Sequence, residues 1–146
     1  MGQNKILLVE DSEEDFLTTK RAFKKAGVAN PMDRVKTGDE ALDYIRHNGP
    51  YRDLAGADHP GLILLDLNLP GTDGRAVLRD LKADPLFKSI PIIVFTTSND
   101  ERDIEACYRD GANSYIQKPL DFRGFVTALG RLQDYWFEIA ILPKPA

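Results

Sequence analysis

The chain alternates short apolar runs with segments that carry hydrophobic residues at helical spacing. The clear runs of strand length are Lys5 to Val9, Leu62 to Leu65, Pro91 to Phe95 and Ser114 to Gln117, and a weaker one lies around Asp33 to Lys36. Between them, apolar residues recur every three or four positions, as on one face of an α-helix. Strands that alternate with helices are typical of βαβ units. The pattern therefore predicts a doubly wound α/β fold with five parallel strands and five helices.

Capping and turn residues predict where the helices begin and end. Ser12 can cap the first helix, whose first turn is acidic, and Gly27 can end it in a left-handed conformation. The other helices are predicted after Thr37-Gly38, over Arg75 to Lys82, over roughly Glu101 to Arg109, and from near Asp121, where apolar residues recur at helical spacing as far as Leu132. A surface loop is expected from Asn48-Gly49-Pro50 to Pro60-Gly61, because Gly and Pro interrupt the helical pattern there.

Composition narrows the class of protein. With 146 residues, 42% hydrophobic and 29% charged, the chain fits a single globular domain over residues 1–146. No apolar stretch approaches membrane-spanning length and the N-terminus lacks the pattern of a secretory signal, so we expect a cytoplasmic protein without a membrane partner. The net charge of -4, without a basic stripe, argues against a nucleic acid partner.

Polar side chains follow four of the predicted strands. Asp66 comes directly after its buried run, Glu10-Asp11 after the first strand, Thr96 after the fourth and Lys118 after the fifth. In open parallel sheets, ligands bind beyond the carboxyl ends of the strands, so these groups should meet at one edge. Acids, a hydroxyl and an amine together are what transfer of a phosphoryl group onto a carboxylate requires. Each alone has a structural explanation, such as a turn cap for Asp66 or a solvated amine for Lys118, but their convergence favours a site.

Electrostatics indicates what each group would do. Two carboxylates about 4 Å apart repel by roughly 4 kcal/mol at an effective dielectric of 20, so Glu10, Asp11 and Asp66 together need a cation. Hard oxygen ligands suit Mg2+, for which Mn2+ or Ca2+ can substitute. Lys118 would keep Asp66 ionised and later bind a phosphoryl oxygen, to which the hydroxyl of Thr96 could also donate. Taken alone, the first two acids could equally well start the first helix.

Five short motifs occupy these strand ends and the loops beside them. They are Val9-Glu10-Asp11, Leu65-Asp66-Leu67-Asn68-Leu69-Pro70-Gly71-Thr72-Asp73-Gly74, Phe95-Thr96-Thr97-Ser98, Asp110-Gly111-Ala112 and Lys118-Pro119. With them the chain resembles the receiver domain of two-component response regulators, from Lys5 to about Leu132. The resemblance implies a flavodoxin-like sheet with strand order 2-1-3-4-5.

The same resemblance implies roles for individual residues. Asp66 would be the phosphoacceptor, and Thr96 and Lys118 would bind the phosphoryl group. Magnesium would be held by the carboxylates of Glu10, Asp11 and Asp66 and by the backbone carbonyl of Asn68.

The implied function is signalling without catalytic turnover. A sensor histidine kinase would donate the phosphoryl group. Thr96 would then turn toward that group and Tyr115 would occupy the space it leaves, which changes the face formed by the fourth helix, fifth strand and fifth helix. A phosphate can shift such an equilibrium only by its difference in interaction energy with the two states.

The C-terminal segment is unusually apolar. It follows a helix that already has its core residues, and such a surplus often marks an interface. We expect residues 136–146 to form a C-terminal extension and the chain to form a homodimer through it, together with the face defined by the fourth helix, fifth strand and fifth helix. The residues expected at this interface are Tyr135, Trp136, Phe137, Ile139, Ile141 and Leu142. The alternative is that these side chains fold back on their own domain.

Some segments resemble one subgroup of receivers more narrowly, and two other functions remain as alternatives. The chain resembles the small receivers that are paired with bacterial phytochrome kinases in three segments: Asp73-Gly74-Arg75, Phe95-Thr96-Thr97-Ser98 and the ending Trp136-Phe137-Glu138 to Leu142-Pro143. A phosphatase of the haloacid dehalogenase type would need an Asp where Asn68 stands. A flavodoxin-like nucleotide binder would need a Ser/Thr/Gly-rich loop after the first strand, where this chain is acidic from Asp11 to Asp15.

Overall fold

Strands and helices alternate along the part of the chain that the computed structural model describes, residues 4–54 and 59–143. The strands are β1 (Ile6–Val9), β2 (Met32–Val35), β3 (Leu62–Leu65), β4 (Ile92–Thr96) and β5 (Ser114–Gln117). The helices are α1 (Glu13–Ala26), α2 (Gly38–Arg46), α3 (Gly74–Ala83), α4 (Glu101–Arg109) and α5 (Phe122–Gln133). The alternation predicted from the hydrophobic pattern is confirmed.

The strands form one parallel sheet in the order β2-β1-β3-β4-β5. This is the predicted doubly wound α/β arrangement. The strand order reverses between β1 and β3, because β2 lies on one side of β1 and the later strands lie on the other, so the crevice beyond the carboxyl ends of β1 and β3 is the topological switch point. Val9 is in register with Leu65, and Leu65 with Val94. The residues that follow β1, β3 and β4 therefore lie beside one another at a single edge of the sheet.

Helices cover both faces of the sheet, and alternate strand residues therefore point into two separate cores. The first core cluster joins strand residues such as Leu7 and Leu65 to α2, α3 and the buried Cys107 of α4. The second joins residues such as Ile6 and Phe95 to α1 and α5. Burial on both faces explains why β1, β3 and β4 read as continuous apolar runs rather than as alternating patterns.

The ends of α1 match the residues that predicted them. The hydroxyl oxygen of Ser12 accepts a hydrogen bond from the backbone N–H of Asp15 at 3.1 Å. Gly27 has a φ of 82°, and its N–H donates to a carbonyl of the last turn. A left-handed residue costs glycine little, so the helix ends there.

Two segments differ from the sequence-based expectation. The expected surface loop after α2 contains a 3-10 helix over Gly49–Leu54. After α5 the chain continues as a π-helix over Asp134–Ile139. Within it, Trp136 and Phe137 pack against the second core cluster.

The remaining residues expected at a dimer interface differ in how exposed their side chains are. The side chains of Tyr135, Ile139 and Ile141 are exposed, and Leu142 has intermediate exposure. The apolar surplus is therefore divided between the chain's own core and its surface. Residues 144–146 of the predicted extension lie outside the described ranges.

None of the helices in the described ranges combines the length and the apolar character needed to cross a membrane.

Gly74 gives a test of the packing that supports the functional edge of the sheet. A Cβ atom at this position would lie 2.2 Å from the backbone oxygen of Asp66. We expect Gly74→Ala to lower the free energy of unfolding by about 1–3 kcal/mol, because the loop after β3 must shift to make room. Gly130→Ala in α5 is the matched control, since its Cβ would meet Ala26 at an ordinary 3.6 Å. There we expect a gain of roughly 0.5–1 kcal/mol from helix propensity, and chemical denaturation of both variants would show whether the signs differ.

Candidate functional site

The predicted site residues meet at the carboxyl edge of the sheet. Glu10 follows β1, Asp66 follows β3, Thr96 ends β4 and Lys118 follows β5. The strand register places them side by side, and the backbone N–H of Lys118 donates to the carbonyl of Thr96 at 2.7 Å. Four separate strands thus deliver an amine, a hydroxyl and carboxylates to one rim.

The Lys118 side chain is buried at this rim and is only 3% exposed. Its ammonium donates hydrogen bonds to Glu10 Oε1 at 2.5 Å, Asp15 Oδ2 at 2.9 Å and Asp66 Oδ2 at 3.1 Å. An ammonium has three N–H groups, so each of them has a carboxylate acceptor. The contact with Asp66 was expected from the sequence, whereas those with Glu10 and Asp15 were not.

These contacts decide the charge of the amine. Burial lowers the pKa of Lys118, but the charge of Asp66 and the hydrogen bonds to Glu10 and Asp15 more than offset it and hold the pKa above its usual value. Lys118 is therefore a cation at neutral pH. The described residues contain no cis peptide bond, so the Lys118-Pro119 bond is trans.

The carboxylates of Glu10, Asp11 and Asp66 form an acid cluster, each offering an oxygen within 4.8 Å of the others. Glu10 is buried, Asp66 is intermediate and Asp11 is exposed, so the cluster opens to solvent on one side. Magnesium keeps several waters and takes one or two carboxylates beside phosphate oxygens. An all-oxygen cluster with an open side fits such an ion.

Burial has a measurable consequence for Glu10. It raises the pKa of this carboxyl to about 7, although the hydrogen bond and the charge of Lys118 act in the opposite direction. A buried carboxylate is costly without a compensating cation. The acid cluster is therefore under-compensated at neutral pH when only Lys118 balances it.

Asn68 lies in the loop that follows Asp66. Its backbone N–H donates to Asp66 Oδ1 over 3.4 Å, so the loop folds back toward the acid cluster. The role expected for its carbonyl as a metal ligand stays a prediction.

Thr96 has a fully buried hydroxyl at this rim. Its hydroxyl finds no hydrogen-bond partner among the described residues. A buried hydroxyl without a partner costs free energy, and each such group in a folded protein calls for an explanation. A phosphoryl oxygen arriving beside Asp66 would supply the missing acceptor.

Tyr115 lies beside the loop that follows β4 and contains Ser98. Its hydroxyl donates to the backbone carbonyl of Ser98 at 2.9 Å, and its ring is partly buried against the first core cluster. The ring is therefore tied to the segment that directly follows Thr96. The predicted coupling of Thr96 and Tyr115 as a switch has the proximity that it needs and stays a prediction.

Arg75 and Asp103 were not singled out from the sequence. They link the loop after β4 to α3 and α4. Arg75, in the first turn of α3, makes a bidentate pair with Asp103 of α4, with both N–O distances at 2.8 Å. The hydroxyl of Ser98 donates to the same carboxylate at 2.8 Å. Arg75 belongs to the motif Asp73-Gly74-Arg75, but nothing in the spacing of that motif indicated a partner 28 residues away.

Comparison with known proteins gives a consistent picture. A family model described as the response regulator receiver domain matches residues 6–130. The probable methanogenesis regulatory protein FilR2 of Methanothrix harundinacea is 37% identical over 97% of this chain and 88% of its own length. Response regulator Rcp1 of Synechocystis is 35% identical over 94% of this chain and 92% of its own length.

Solved structures agree with the sequence matches. The phosphorylated cyanobacterial phytochrome response regulator RcpA superimposes with a TM-score of 0.90 at 38% identity, covering 98% of this chain and all of its own. The Mn2+-bound form of Rcp1 has a TM-score of 0.88 at 34% identity and covers 96% of this chain and 99% of its own.

The raised pKa of Glu10 predicts how stability depends on pH. The folded state binds a proton at Glu10 more readily than the unfolded state does, so the contribution of Glu10 to stability is lost as pH rises from about 4.5 to about 7. In EDTA we expect the unfolding free energy of the native protein to fall, relative to Glu10→Gln, by roughly 1–3 kcal/mol between pH 5 and pH 8.

Magnesium should reverse this loss, because the cation competes with the proton for the same oxygens. We expect Mg2+ to stabilise the native protein more at pH 8 than at pH 5 in urea denaturation. If the unfolding free energies of the native protein and of Glu10→Gln in EDTA changed equally with pH, the pKa of Glu10 would not be raised by folding.

Proposed function

The chain belongs to the response regulator receiver domain family and acts in two-component signalling, and from this premise we propose that Asp66 accepts the phosphoryl group. In this family the donor is the phosphohistidine of a sensor histidine kinase. The observation that carries the assignment is the arrangement around Asp66: a protonated Lys118 donates a hydrogen bond to it, and the carboxylates of Glu10 and Asp11 lie beside it. The orphaned hydroxyl of Thr96 adds a donor that a phosphoryl oxygen would satisfy.

The proposed reaction is an in-line displacement at phosphorus. An oxygen of Asp66 forms the new P–O bond while the P–N bond to the donor imidazole breaks, and the imidazole leaves to take up a proton. Lys118 donates a hydrogen bond to Asp66 before transfer and to a phosphoryl oxygen afterwards, and Thr96 donates to another. Receiver domains bind Mg2+, and when it is bound at the acid cluster it neutralises charge on the transferred oxygens.

The two alternative functions lack support. Sequence and structure comparisons place the chain among receivers rather than phosphatases or nucleotide binders. Asn68 occupies the position where the phosphatase class needs a second acid. The protein is thus a signalling component, and we propose that phosphorylation and loss of the phosphoryl group occur without turnover of an external substrate.

We propose a phytochrome-type histidine kinase as the donor. Support comes from RcpA, which is a cyanobacterial phytochrome response regulator and is 38% identical to this chain. The similarity to FilR2 shows that comparable sequences also occur in a probable methanogenesis regulatory protein. We further propose that the protein works in the cytoplasm, where a kinase of this kind presents its phosphohistidine.

The signalling output is proposed to use Thr96 and Tyr115. If Thr96 turns to the phosphoryl group, the Tyr115 ring can follow, and the hydrogen bond from Tyr115 to the carbonyl of Ser98 fixes the loop between them. The face formed by α4, β5 and α5 would then differ between the two states.

That face borders the C-terminal segment, and we propose homodimerisation through both. A shallow cavity of about 410 Å³ between β5 and α5 is lined by Tyr108, Tyr115, Tyr135 and Trp136, among others. Ile139 and Ile141 beyond it are 70% and 97% exposed. Aromatic and aliphatic side chains in this setting favour a protein partner, and a second copy supplies the same apolar surface.

Acetyl phosphate tests the phosphoacceptor. With Mg2+, we expect the native protein to gain the mass of one phosphoryl group, and we expect no gain in EDTA or in Asp66→Asn, because the nucleophilic oxygen or the cation is missing. Asp11→Asn should weaken Mg2+ binding, and so lower the rate of phosphorylation, while the protein stays folded. Labelling of Asp66→Asn at the native rate would exclude Asp66.

Point substitutions test the dimer more cleanly than deletion of residues 136–146, which would also remove the packed Trp136 and Phe137. We expect Ile141→Asp to convert the protein to a monomer in light scattering, because a buried unpaired charge opposes the contact. Leu86→Asp, at a residue that is 67% exposed elsewhere on the surface, is the control. Equal masses for the two variants and the native protein would contradict the proposed interface.

A further inference from the structure

Asp15 contacts the reaction centre although it follows no strand. It lies in the first turn of α1, and its Oδ2 atom accepts a hydrogen bond from Lys118 Nζ at 2.9 Å. The Lys118 side chain is 3% exposed and that of Asp15 is 36% exposed. The proposed phosphoryl transfer assigns no role to this carboxylate.

The three carboxylates around Lys118 come from three different elements. Glu10 follows β1, Asp15 belongs to α1 and Asp66 follows β3. The N–H groups of an ammonium point in tetrahedral directions, so two fixed acceptors determine where the third N–H points. With Glu10 and Asp15 in place, that direction is toward Asp66. With Glu10 alone, the ammonium could rotate about a single contact at the end of a flexible four-carbon chain.

We infer that Asp15 is a positioning residue for phosphoryl transfer: together with Glu10, it orients Lys118 so that one N–H faces the oxygen of Asp66 and the incoming phosphoryl group. This inference rests on the proposed role of Asp66. Preorganised donors lower the barrier because they need no reorganisation when charge shifts during transfer.

If Asp15 acted only through its negative charge, it would slow phosphoryl transfer rather than assist it. A fourth carboxylate near the acid cluster repels an anionic phosphoryl donor, so removing it should speed the reaction if charge were all that mattered. If Asp15 positions Lys118, removing its charge should slow the reaction. The two explanations therefore differ in the sign of the change.

The matched pair Asp15→Asn and Glu14→Gln separates these effects. Both substitutions remove one acidic charge from the first turn of α1, where acids favour the helix dipole. Glu14 is exposed, and no contact between its side chain and Lys118 is present. The capping bond from the Asp15 backbone to Ser12 uses no side-chain atom of Asp15 and is retained.

The first measurement is the rate of phosphorylation by acetyl phosphate at saturating Mg2+, followed by mass. We expect Asp15→Asn to lower the maximal rate roughly five- to tenfold, with a smaller change in the half-saturating concentration of acetyl phosphate, and Glu14→Gln to stay within about twofold of the native protein. Asp15→Glu, which keeps the carboxylate, should recover part of the rate. An unchanged or faster Asp15→Asn overturns the inference.

A double-mutant cycle tests whether Asp15 acts through Lys118. In a Lys118→Ala background we expect Asp15→Asn to have no further effect on the rate, because the group that it orients is gone. Full additivity of the two substitutions would overturn the inference. If the native protein itself is not phosphorylated, the proposed function fails; if it is phosphorylated and Asp15→Asn matches it, only the inference fails.

A spectroscopic readout is independent of the reaction. In the metal-free protein, the ammonium protons of a buried, fully hydrogen-bonded lysine exchange slowly enough to give an NMR signal from its side-chain nitrogen. We expect this signal for Lys118 in the native protein and in Glu14→Gln, and its loss by rapid exchange in Asp15→Asn. Persistence of an unshifted signal in Asp15→Asn would overturn the inference.

Discussion

The buried ammonium of Lys118 is the constraint on which the functional edge of this protein depends. A charged group that is 3% exposed is tolerated only when it is paired. Here the pairing requires carboxylates from β1, α1 and β3 to converge on the end of β5. The same amine reduces the repulsion within the acid cluster without cancelling it, which leaves the surplus negative charge that a divalent cation can bind.

The fold supplies this convergence through strand order and close packing. Placing β1 and β3 side by side brings Glu10 next to Asp66, and the pairing of β4 with β5 brings Thr96 next to Lys118. Gly74 allows α3 to begin directly against the backbone of Asp66. The hydrogen bond from Ser98 to Asp103 then connects the edge to α4, which belongs to the proposed output face, so the proposed phosphorylation site and that face are linked.

The sequence predicted the strand-end residues because their placement follows from topology alone. Once a parallel sheet is expected, Glu10, Asp66, Thr96 and Lys118 must share an edge. Asp15 was understood only as a favourable charge at a helix start, since its reach to Lys118 depends on how α1 is rotated on the sheet.

The other missed features have similar causes. The pair formed by Arg75 and Asp103 depends on the distance between the first turns of two helices, which hydrophobic periodicity does not determine. Trp136 and Phe137 are partly buried against the second core cluster from within the π-helix, a packing that their apolar character alone did not distinguish from an interface, and their expected place at an interface stays a prediction.

The central claim is that the phosphoryl group resides on Asp66. Reduction of the phosphorylated protein with borohydride converts an aspartyl phosphate to homoserine, and peptide mass spectrometry locates the converted residue. The account predicts homoserine at position 66 and at no other position. A converted acid elsewhere in the cluster, or a phosphoryl group that survives borohydride unchanged, would contradict it.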